Sequence, residues 1–306
     1  MDILNSPIRG KVLWDESLST HTSFKSGGRV RAYLFPEDSA EVCTLIRVFQ
    51  EDQMPYQVLG DGSNFLPSDE DFPGAILNLA NLNSISILEE AQEYILVQVG
   101  AGVGKQKLLF WSVENGFSGL EFLSGIPGQV GGGLFMNAGT HLGSFSNVTQ
   151  KVFLVNQQGE VEEKVLSPDD FSYRAQSFVK NKIIVGCVLR LTHGNREEME
   201  AKVRKMIVER KATQPLNSPN FGSVFKNPVG FSAGKLIESV GLKGYRVGNA
   251  MISPKHANFI VNLGGATAKD VLSLVDHAKK TVKECKGVEL QEEVVIASRA
   301  HSARHS

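Results

Sequence analysis

Clustered glycines constrain this chain more than any other feature of its sequence. The chain has 30 glycines, and many of them fall at positions 60–62, 100–104, 125–133 and 241–248. Because glycine lacks a Cβ atom, such stretches can turn with positive φ and let the backbone approach a ligand closely. The clusters therefore predict several loops whose backbone contacts a ligand.

Composition limits the classes of protein to which the chain can belong. Its 306 residues are 42% hydrophobic and 21% charged, a globular composition for roughly two domains. The 32 Lys and Arg nearly balance the 33 Asp and Glu, so no overall field attracts nucleic acid or an acidic membrane. An anionic ligand must therefore be held by local groups.

The sequence predicts a cytoplasmic protein without a membrane segment. Its longest apolar run, residues 183–189, is much too short to cross a bilayer. An odd and sparse set of cysteines, Cys43, Cys187 and Cys285, fits a reducing compartment. We expect all of them to be core thiols.

Hydrophobic spacing predicts alternating helices and strands. Residues 38–49 place apolar side chains at helical spacing, and residues 56–59 form a short strand that leads into a polar turn at 60–64. A further helix is predicted over residues 267–287, because this segment begins with a capping box and ends at a glycine. Sheet and helix thus share the chain.

Two apparent motifs do not have the spacing that their chemistry needs. Residues 100–105 look like a phosphate-binding P-loop, but that loop needs glycine where Val99 stands and Ser or Thr where Gln106 stands. His301 and His305 are four residues apart but have no carboxylate partner. We therefore expect neither a nucleoside triphosphatase nor a metal site.

Residues 124–133 form the richest glycine segment, and they lead into Met136-Asn137-Ala138-Gly139. Consecutive glycines allow backbone N–H groups to wrap a pyrophosphate without a large positive charge. Close packing of a helix on a sheet explains the same spacing equally well. Together with the turn at 60–64, two such loops in one chain favour a dinucleotide.

Four polar clusters are candidates for chemistry, and each also has a purely structural interpretation. Tyr173-Arg174 can be a surface pair, and residues 220–228 can be an interdomain turn that carries a hydroxyl, an ammonium and an amide. Residues 255–258 lead into an apolar strand, which favours a core position for their histidine. Glu293 can be a carboxylate at the start of a buried strand. The residues alone leave these alternatives open.

In their order along the chain, these clusters resemble the UDP-N-acetylenolpyruvoylglucosamine reductases, flavoenzymes also called UDP-N-acetylmuramate dehydrogenases. The resemblance covers residues 20–297 and rests on Thr22-Ser23-Phe24-Lys25 with Gly27-Gly28, Gly60 to Asn64, Gly125 to Gly139, Tyr173-Arg174, Gly222 to Pro228, Gly241 to Gly244, Lys255 to Phe259 and Leu290 to Val294. The short spacing after Tyr173 is similar to the family's shorter type, which lacks an added tyrosine-bearing loop. Pro67 and residues 141–144 depart from the family's usual pattern.

The resemblance implies an α+β architecture: a two-subdomain FAD-binding fold of the oxidase (PCMH) type plus a C-terminal α+β substrate-binding domain. It implies FAD-binding subdomain 1 at residues 1–70, with a strand at about 288–297, and subdomain 2 at 71–205. The substrate-binding domain is expected at 206–287. The small, polar and basic tail at 298–306 is expected to be disordered.

The resemblance also implies FAD as the cofactor. Residues 58–66 contain no His or Cys to form a covalent link, so we expect FAD to bind noncovalently. The residues assigned to FAD by resemblance belong to the glycine-rich segments: Gly60, Asp61, Gly62, Ser63, Asn64, Gly125, Ile126, Pro127, Gly128, Gly131, Gly132, Asn137, Ala138 and Gly139.

The implied reaction uses the flavin twice. NADPH reduces FAD, and UDP-N-acetylglucosamine enolpyruvate then receives a hydride from flavin N5 at its vinyl carbon, giving UDP-N-acetylmuramate for bacterial peptidoglycan. By resemblance Ser223 donates a proton to the carbon that bears the ether oxygen, while Arg174 and Glu293 stabilise the enolic carboxylate. The residues expected to position the substrate are Tyr173, Lys226 and Asn227.

Two other functions stay open on the sequence alone. An FAD oxidase or dehydrogenase of the same fold would act on a small alcohol or hydroxy acid, but hydride abstraction from an alcohol needs a base instead of a proton donor. A nucleotide-sugar or flavin-binding module without turnover is the other alternative. Balanced charge and the lack of an obvious exposed apolar repeat predict a monomer. The balanced charge also predicts no nucleic-acid partner, and the resemblance implies a nucleotide-sugar substrate.

Overall fold

Six α-helices and twenty strands lie within residues 8–297, the part of the chain that the computed structural model describes. The helices are α1 (Ser39–Glu51), α2 (Lys105–Glu114), α3 (Val130–Phe135), α4 (Arg196–Thr213), α5 (Ala233–Ser239) and α6 (Ala268–Lys286). The strands are β1 (Lys11–Ser17), β2 (Arg29–Phe35), β3 (Tyr56–Val58), β4 (Phe65–Leu66), β5 (Phe72–Leu77), β6 (Ile85–Glu90), β7 (Ile95–Gly100), β8 (Phe117–Ser118), β9 (Gly139–Thr140), β10 (Gly143–Ser144), β11 (Thr149–Val155), β12 (Val161–Val165), β13 (Phe171–Ser172), β14 (Ala175–Gln176), β15 (Ile183–His193), β16 (Asn220–Ser223), β17 (Arg246–Val247), β18 (Ala250–Ile252), β19 (Phe259–Asn262) and β20 (Val295–Ile296). The tail predicted at 298–306 lies outside the described residues.

The chain divides into two units, each built from three segments. Within the described residues, unit 1 comprises 8–14, 32–60 and 74–208, and unit 2 comprises 15–31, 61–73 and 209–297. Each unit has a hydrophobic core of its own. The three-domain boundaries inferred from the sequence stay a prediction.

The main sheet of unit 1 is antiparallel and has the strand order β12-β11-β15-β7-β6, with β8 paired to the end of β15. Its central strand is β15, in which every residue from Ile183 to Leu189 is buried. A continuous apolar run of this kind suits a strand that is covered on both faces. A parallel pair, β3 and β5, belongs to a further sheet.

Helix α1 packs on unit 1 through the apolar stripe that its sequence predicts. The side chains from Val42 to Phe49 that follow helical spacing are almost fully buried. The carboxylate of Asp38 accepts a hydrogen bond from the N–H of Glu41 at 2.9 Å and so caps the first turn. The helix predicted at 38–49 is thereby confirmed.

Unit 2 combines a four-stranded antiparallel sheet, β16-β19-β18-β17, with helix α6. The apolar stripe of α6, from Val271 to Val282, is buried in the core of this unit. Phe24 and Leu66, from the early part of the chain, belong to the same core. The strands β4 and β20 pair in parallel. Unit 2 therefore needs early parts of the chain, from residues 15–31 and 61–73, as well as the last described segment.

The expectation that all the cysteines are core thiols is wrong for Cys285. Cys43 and Cys187 are buried, and burial raises the pKa of both thiols. Cys285 is exposed, because the last turn of α6 extends past Val282, the last buried residue of that helix.

No helix in the described part of the chain is long and apolar enough to cross a membrane.

The first turn of α6 is capped twice, and one cap comes from far away in the sequence. Thr267 and Asp270 form the predicted capping box, and the amide of Thr267 is the main cause that lowers the pKa of Asp270. In addition, the carboxylate of Asp69 accepts hydrogen bonds from the N–H groups of Ala268 at 2.7 Å and Lys269 at 3.0 Å. A negative charge at this end also interacts favourably with the helix dipole.

We predict that Asp69→Ala lowers the free energy of unfolding of unit 2 by about 1–2 kcal/mol, because two helix N–H groups lose their acceptor. Urea unfolding followed by circular dichroism measures the change. The control, Glu284→Ala, removes an exposed carboxylate from the other end of α6, 4.0 Å from Lys280, and should change stability by less than about 0.5 kcal/mol. Equal losses in the two variants would contradict the role of Asp69 as a cap.

Candidate active site

A backbone carbonyl oxygen of the polar turn at residues 61–64 is hydrogen-bonded to an earlier segment of the chain. The carbonyl oxygen of Gly62 accepts hydrogen bonds from the N–H of Ser23 at 3.2 Å and from its Oγ at 3.1 Å. Gly62 has a φ of 59°, and a Cβ atom there would lie 2.5 Å from a neighbouring backbone oxygen, so only glycine fits. Among residues 8–297, the N–H groups of Gly62, Ser63 and Asn64 donate no hydrogen bond. Consecutive open N–H groups in a turn can bind an anion.

The glycine-rich loop of unit 1 also has N–H groups that are open to a ligand. In the described chain, those of Gly128, Gln129 and Gly132 donate no hydrogen bond. No heavy atom of another segment lies within 4 Å of the Cβ position of Gly132, so this face of the loop is open. Gly60 lies beside the loop, since a Cβ atom there would be 2.8 Å from Gln129 Oε1. The open N–H groups and the missing side chains fit a pyrophosphate.

Close packing, the other explanation for these glycines, applies to two of their neighbours. A Cβ atom at Gly133 would lie 2.4 Å from the ring of Phe145, and one at Gly131 would lie 3.1 Å from the Cβ of Ala101. The N–H of Gly131 donates to the Ala101 carbonyl oxygen at 2.8 Å, so it is not available to a ligand. The two interpretations therefore hold at different positions of one segment.

Arg174 lies at the tip of a hairpin in unit 1. Strands β13 and β14 pair, and Tyr173 and Arg174 form the turn between them. Arg174 has a φ of 57°, a left-handed conformation that costs a non-glycine residue about 1–3 kcal/mol. Its guanidinium donates to the carbonyl oxygens of Gly139 at 3.1 Å and Asn137 at 3.4 Å, and lies 5.2 Å from the centre of the Tyr173 ring. These contacts fix the position of the cation.

The side chain of Asn137 has a structural role that sequence reasoning missed. Its Nδ2 donates to the carbonyl oxygen of Ser172 at 3.0 Å, and its Oδ1 accepts from the N–H of Ser146 at 3.1 Å. Asn137 thereby joins its own loop to the hairpin that carries Arg174. Ala138 and Gly139 continue this loop.

A β-bulge precedes Ser223. Strand β16 pairs with β19, but the register shifts by one residue between Asn220, opposite Val261, and Ser223, opposite Phe259. Gly222 lies in the shifted stretch with a φ of 82°. Bulges re-aim the side chains beside them and are frequent next to active sites. Ser223 ends the shifted stretch and is half-buried.

Glu293 lies next to this segment within unit 2. The carbonyl oxygen of Val224 accepts a hydrogen bond from the N–H of Glu293 at 2.8 Å, and the N–H of Lys226 donates to the carbonyl oxygen of Gln291 at 2.9 Å. Asn64, in the polar turn, donates from Nδ2 to the carbonyl oxygen of Glu293 at 3.2 Å. The segments that carry the hydroxyl and the carboxylate therefore run side by side.

The three residues expected to position the substrate have different surroundings. Tyr173 is 53% exposed at the tip of its hairpin. Lys226 is half-buried, and Asn227 is exposed. The Oδ1 of Asn227 accepts a hydrogen bond from the N–H of Ala233 at 3.0 Å, at the start of α5. Sequence reasoning did not find this contact, because it joins residues on either side of a loop.

His256 is hydrogen-bonded, but it does not occupy the core position expected for it above. It is half-buried, and burial is the main cause that lowers its pKa. Its Nδ1 accepts a hydrogen bond from the N–H of Asn258 at 3.2 Å, as a neutral imidazole can.

The structure thus groups the predicted residues by unit. Ser223 and Glu293 come together in unit 2, and Arg174, Asn137 and Gly139 come together in unit 1. Within residues 8–297, no group of three His, Cys, Asp or Glu side chains could hold a metal ion.

Two family models match the chain. The model described as UDP-N-acetylenolpyruvoylglucosamine reductase, C-terminal domain, matches residues 214–297, which include Ser223 and Glu293. The model described as FAD binding domain matches residues 30–164, which include both glycine-rich segments assigned to the cofactor.

Whole-chain comparisons agree with these matches. UDP-N-acetylenolpyruvoylglucosamine reductase 2 of Symbiobacterium thermophilum is 42% identical over 296 residues, which cover 96% of this chain and 95% of that protein. The crystal structure of UDP-N-acetylenolpyruvylglucosamine reductase (MurB) from Thermus caldophilus has a TM-score of 0.77 and 34% identity, over 94% of this chain and 98% of that one. A solvent-stable cholesterol oxidase shares the fold alone, with a TM-score of 0.50 and 18% identity over 62% of this chain and 39% of that one.

These findings confirm the expected α+β architecture, an FAD-binding fold of the oxidase type followed by a C-terminal domain, and FAD as the cofactor. The chain belongs to the UDP-N-acetylenolpyruvoylglucosamine reductase family.

Proposed function

We propose that this protein reduces UDP-N-acetylglucosamine enolpyruvate to UDP-N-acetylmuramate with electrons from NADPH, in the synthesis of bacterial peptidoglycan precursors. Relatives that are 42% and 34% identical are named for this reductase activity. The observation in this chain that carries the proposal is the hydrogen bond between Val224 and Glu293, because it brings a hydroxyl-bearing segment beside a carboxylate-bearing one.

FAD, when bound, supplies the carrier that accepts a hydride from NADPH and delivers one to the vinyl carbon of the substrate. The residues that would hold it are those of the turn at 60–64 and of the segments at 125–132 and 137–139. The open N–H groups among them, which are those of Gly62, Ser63, Asn64, Gly128, Gln129 and Gly132, suit its pyrophosphate. Binding is noncovalent in this proposal, since residues 58–66 contain no His or Cys.

Ser223 is the proposed proton donor. Once the vinyl carbon has accepted a hydride, the carbon that bears the ether oxygen is strongly basic, and the Ser223 Oγ–H protonates it. A serine hydroxyl is a weak acid by itself, so the alkoxide left behind needs a nearby cation. Lys226, in the same segment, is the candidate for that cation.

Arg174 and Glu293 are the groups proposed to stabilise the negative charge that develops on the substrate carboxylate. Two backbone oxygens already hold the Arg174 guanidinium, and a preorganised group of this kind lowers a barrier because it need not reorient during the reaction. Glu293 is proposed to serve as an acid. The residues proposed to position the substrate are Tyr173, Lys226 and Asn227.

We further propose a cytoplasmic monomer with no nucleic-acid partner, which its nearly balanced charge of 32 Lys and Arg against 33 Asp and Glu supports. The proposed division is an FAD-binding subdomain at 1–70 with the strand at 288–297, a second one at 71–205, and a substrate-binding domain at 206–287.

The proposed reaction predicts two opposite changes in flavin absorbance. In anaerobic stopped-flow mixing, NADPH should bleach the flavin band, and UDP-N-acetylglucosamine enolpyruvate should then restore it. UDP-N-acetylglucosamine, which lacks the enol ether, is the control and should leave the band bleached. Bleaching without recovery on addition of the enolpyruvyl sugar would contradict the proposed substrate.

Replacing the proton donor should affect only the second of these changes. In Ser223→Ala, NADPH should still reduce FAD, while reoxidation by the enolpyruvyl sugar should slow by about 10²- to 10⁴-fold, or about 3–5 kcal/mol of barrier. Stopped-flow measurement of each half-reaction separates the two effects. Ser239→Ala, which removes another hydroxyl from unit 2, should behave as the wild type does. An unchanged reoxidation rate would remove Ser223 from the mechanism.

Arg174→Lys and Glu293→Gln should each lower kcat by about 10²-fold with FAD still bound, because each removes part of a preorganised charge-stabilising group. Lysine lacks the planar fork that contacts two carbonyl oxygens at once. Turnover and the flavin-to-protein ratio are the measurements, and Arg196→Lys, at an exposed ion pair on α4, is the control. Loss of flavin from the variants would reassign these residues to a structural role.

A further inference from the structure

We propose that Asn258 is a positioning residue for the proton transfer assigned to Ser223. This inference rests on the proposed function, since it concerns how Ser223 is placed for that reaction. Asn258 precedes β19 and is only 4% exposed. Its side chain contacts the backbone that follows Ser223.

Regular strand pairing ends where this stretch of backbone begins. The bulge places Ser223 opposite Phe259, and the N–H of Val224 then donates to the carbonyl oxygen of Asn258 at 2.9 Å. The described pairing of β16 with β19 does not extend to Phe225. Because Phe225 is only 2% exposed, its peptide groups need partners other than water.

The side chain of Asn258 supplies both partners. Its Oδ1 accepts a hydrogen bond from the N–H of Phe225 at 3.0 Å, and its Nδ2 donates to the carbonyl oxygen of Phe225 at 2.8 Å. A side-chain amide has a donor and an acceptor, as a peptide group has. Asn258 therefore continues the pairing by one residue after the backbone of β19 can no longer do so.

The opposite edge of the same stretch leads to Glu293. The Val224 carbonyl oxygen accepts from the N–H of Glu293, and Phe225 forms an antiparallel bridge with Glu292. The stretch is thus hydrogen-bonded along both edges, and Asn258 forms part of one of them. A displacement of about 1 Å at a reacting group can reduce a rate by about 100-fold. Loss of the Asn258 amide should therefore affect the step that depends on Ser223.

Asn258→Asp is the first test. Aspartate keeps the size and the acceptor for the Phe225 N–H, but it replaces the donor with a second acceptor that faces the Phe225 carbonyl oxygen. We expect flavin reoxidation by the enolpyruvyl sugar to slow by about 10- to 100-fold, with flavin reduction by NADPH and flavin content unchanged. Asn258→Ala, which removes both partners without adding charge, should have the same effect and serves if the aspartate variant does not fold.

Asn262→Asp is the matched control. Asn262 lies on β19, is 5% exposed, and donates from Nδ2 to the Phe24 carbonyl oxygen at 2.8 Å. The substitution removes the same kind of buried hydrogen bond without touching the stretch after Ser223, so reoxidation should stay close to the wild-type rate. Equal slowing in both variants at equal loss of stability would mean general loosening of unit 2 and would overturn the proposal.

Two further measurements test whether Asn258 acts through Ser223. The solvent deuterium isotope effect on reoxidation should be larger in Asn258→Asp than in the wild type, because proton transfer then limits the rate more strongly. The double variant Ser223→Ala with Asn258→Asp should be no slower than Ser223→Ala alone, because no proton donor remains to be positioned. Fully additive losses, or an unchanged isotope effect, would contradict the inference.

The proposed function and this inference fail differently. A wild-type protein whose reduced flavin is not reoxidised by the enolpyruvyl sugar would remove the proposed function itself. Normal reoxidation in both the wild type and the Asn258 variants would remove only the positioning role.

Discussion

The proposed site of unit 2 depends on the pairing of the last described strand with a strand from the early part of the chain. Strand β20 pairs with β4, the N–H of Val295 donates to the Asn64 carbonyl oxygen, and the Asn64 side chain holds the Glu293 carbonyl oxygen across 229 residues. Closing so long a loop has an entropic cost, which burial of Phe24 and Leu66 in the core of unit 2 helps to offset. Tertiary structure, and not local sequence, therefore places Glu293.

The glycines of the segment at 125–133 have two different roles, which are close packing and access of a ligand to the backbone. Gly131 and Gly133 are glycines because a Cβ atom would meet Ala101 or Phe145, so they allow close packing. Gly132 has open space at the same place, and its N–H is free to face a ligand. The sequence cannot distinguish these three glycines, because it shows only that each lacks a side chain. It does not show which atoms, if any, occupy the space where a Cβ atom would be. Because one segment contains glycines of both kinds, its sequence was equally consistent with close packing and with ligand binding.

Local sequence patterns predicted the helices, whereas contacts between residues far apart in the chain could not be predicted from the sequence. The stripe of α1 and the capping box of α6 each depend on residues within one or two turns, so their spacing is sufficient to find them. The cap that Asp69 gives to α6 comes from about 200 positions away, and periodicity could not tell that the core ends before Cys285. The site residues came from the family resemblance, and their roles stay predictions. Without the resemblance, the sequence around Glu293 was equally consistent with a purely structural carboxylate at the start of a buried strand.

Neutral side-chain amides contact the backbone of the two segments that carry the proposed reacting groups of unit 2. Asn64 contacts the backbone of Glu293, and Asn258 contacts the backbone after Ser223. An amide can satisfy a buried N–H and a buried carbonyl oxygen at once without adding a charge. A carboxylate in either place could accept from an N–H but could not donate to a carbonyl oxygen. A lysine could satisfy the carbonyl oxygen but not the N–H. Amide anchors can therefore position these segments while leaving the electrostatics of the reaction to the residues proposed to contact the substrate.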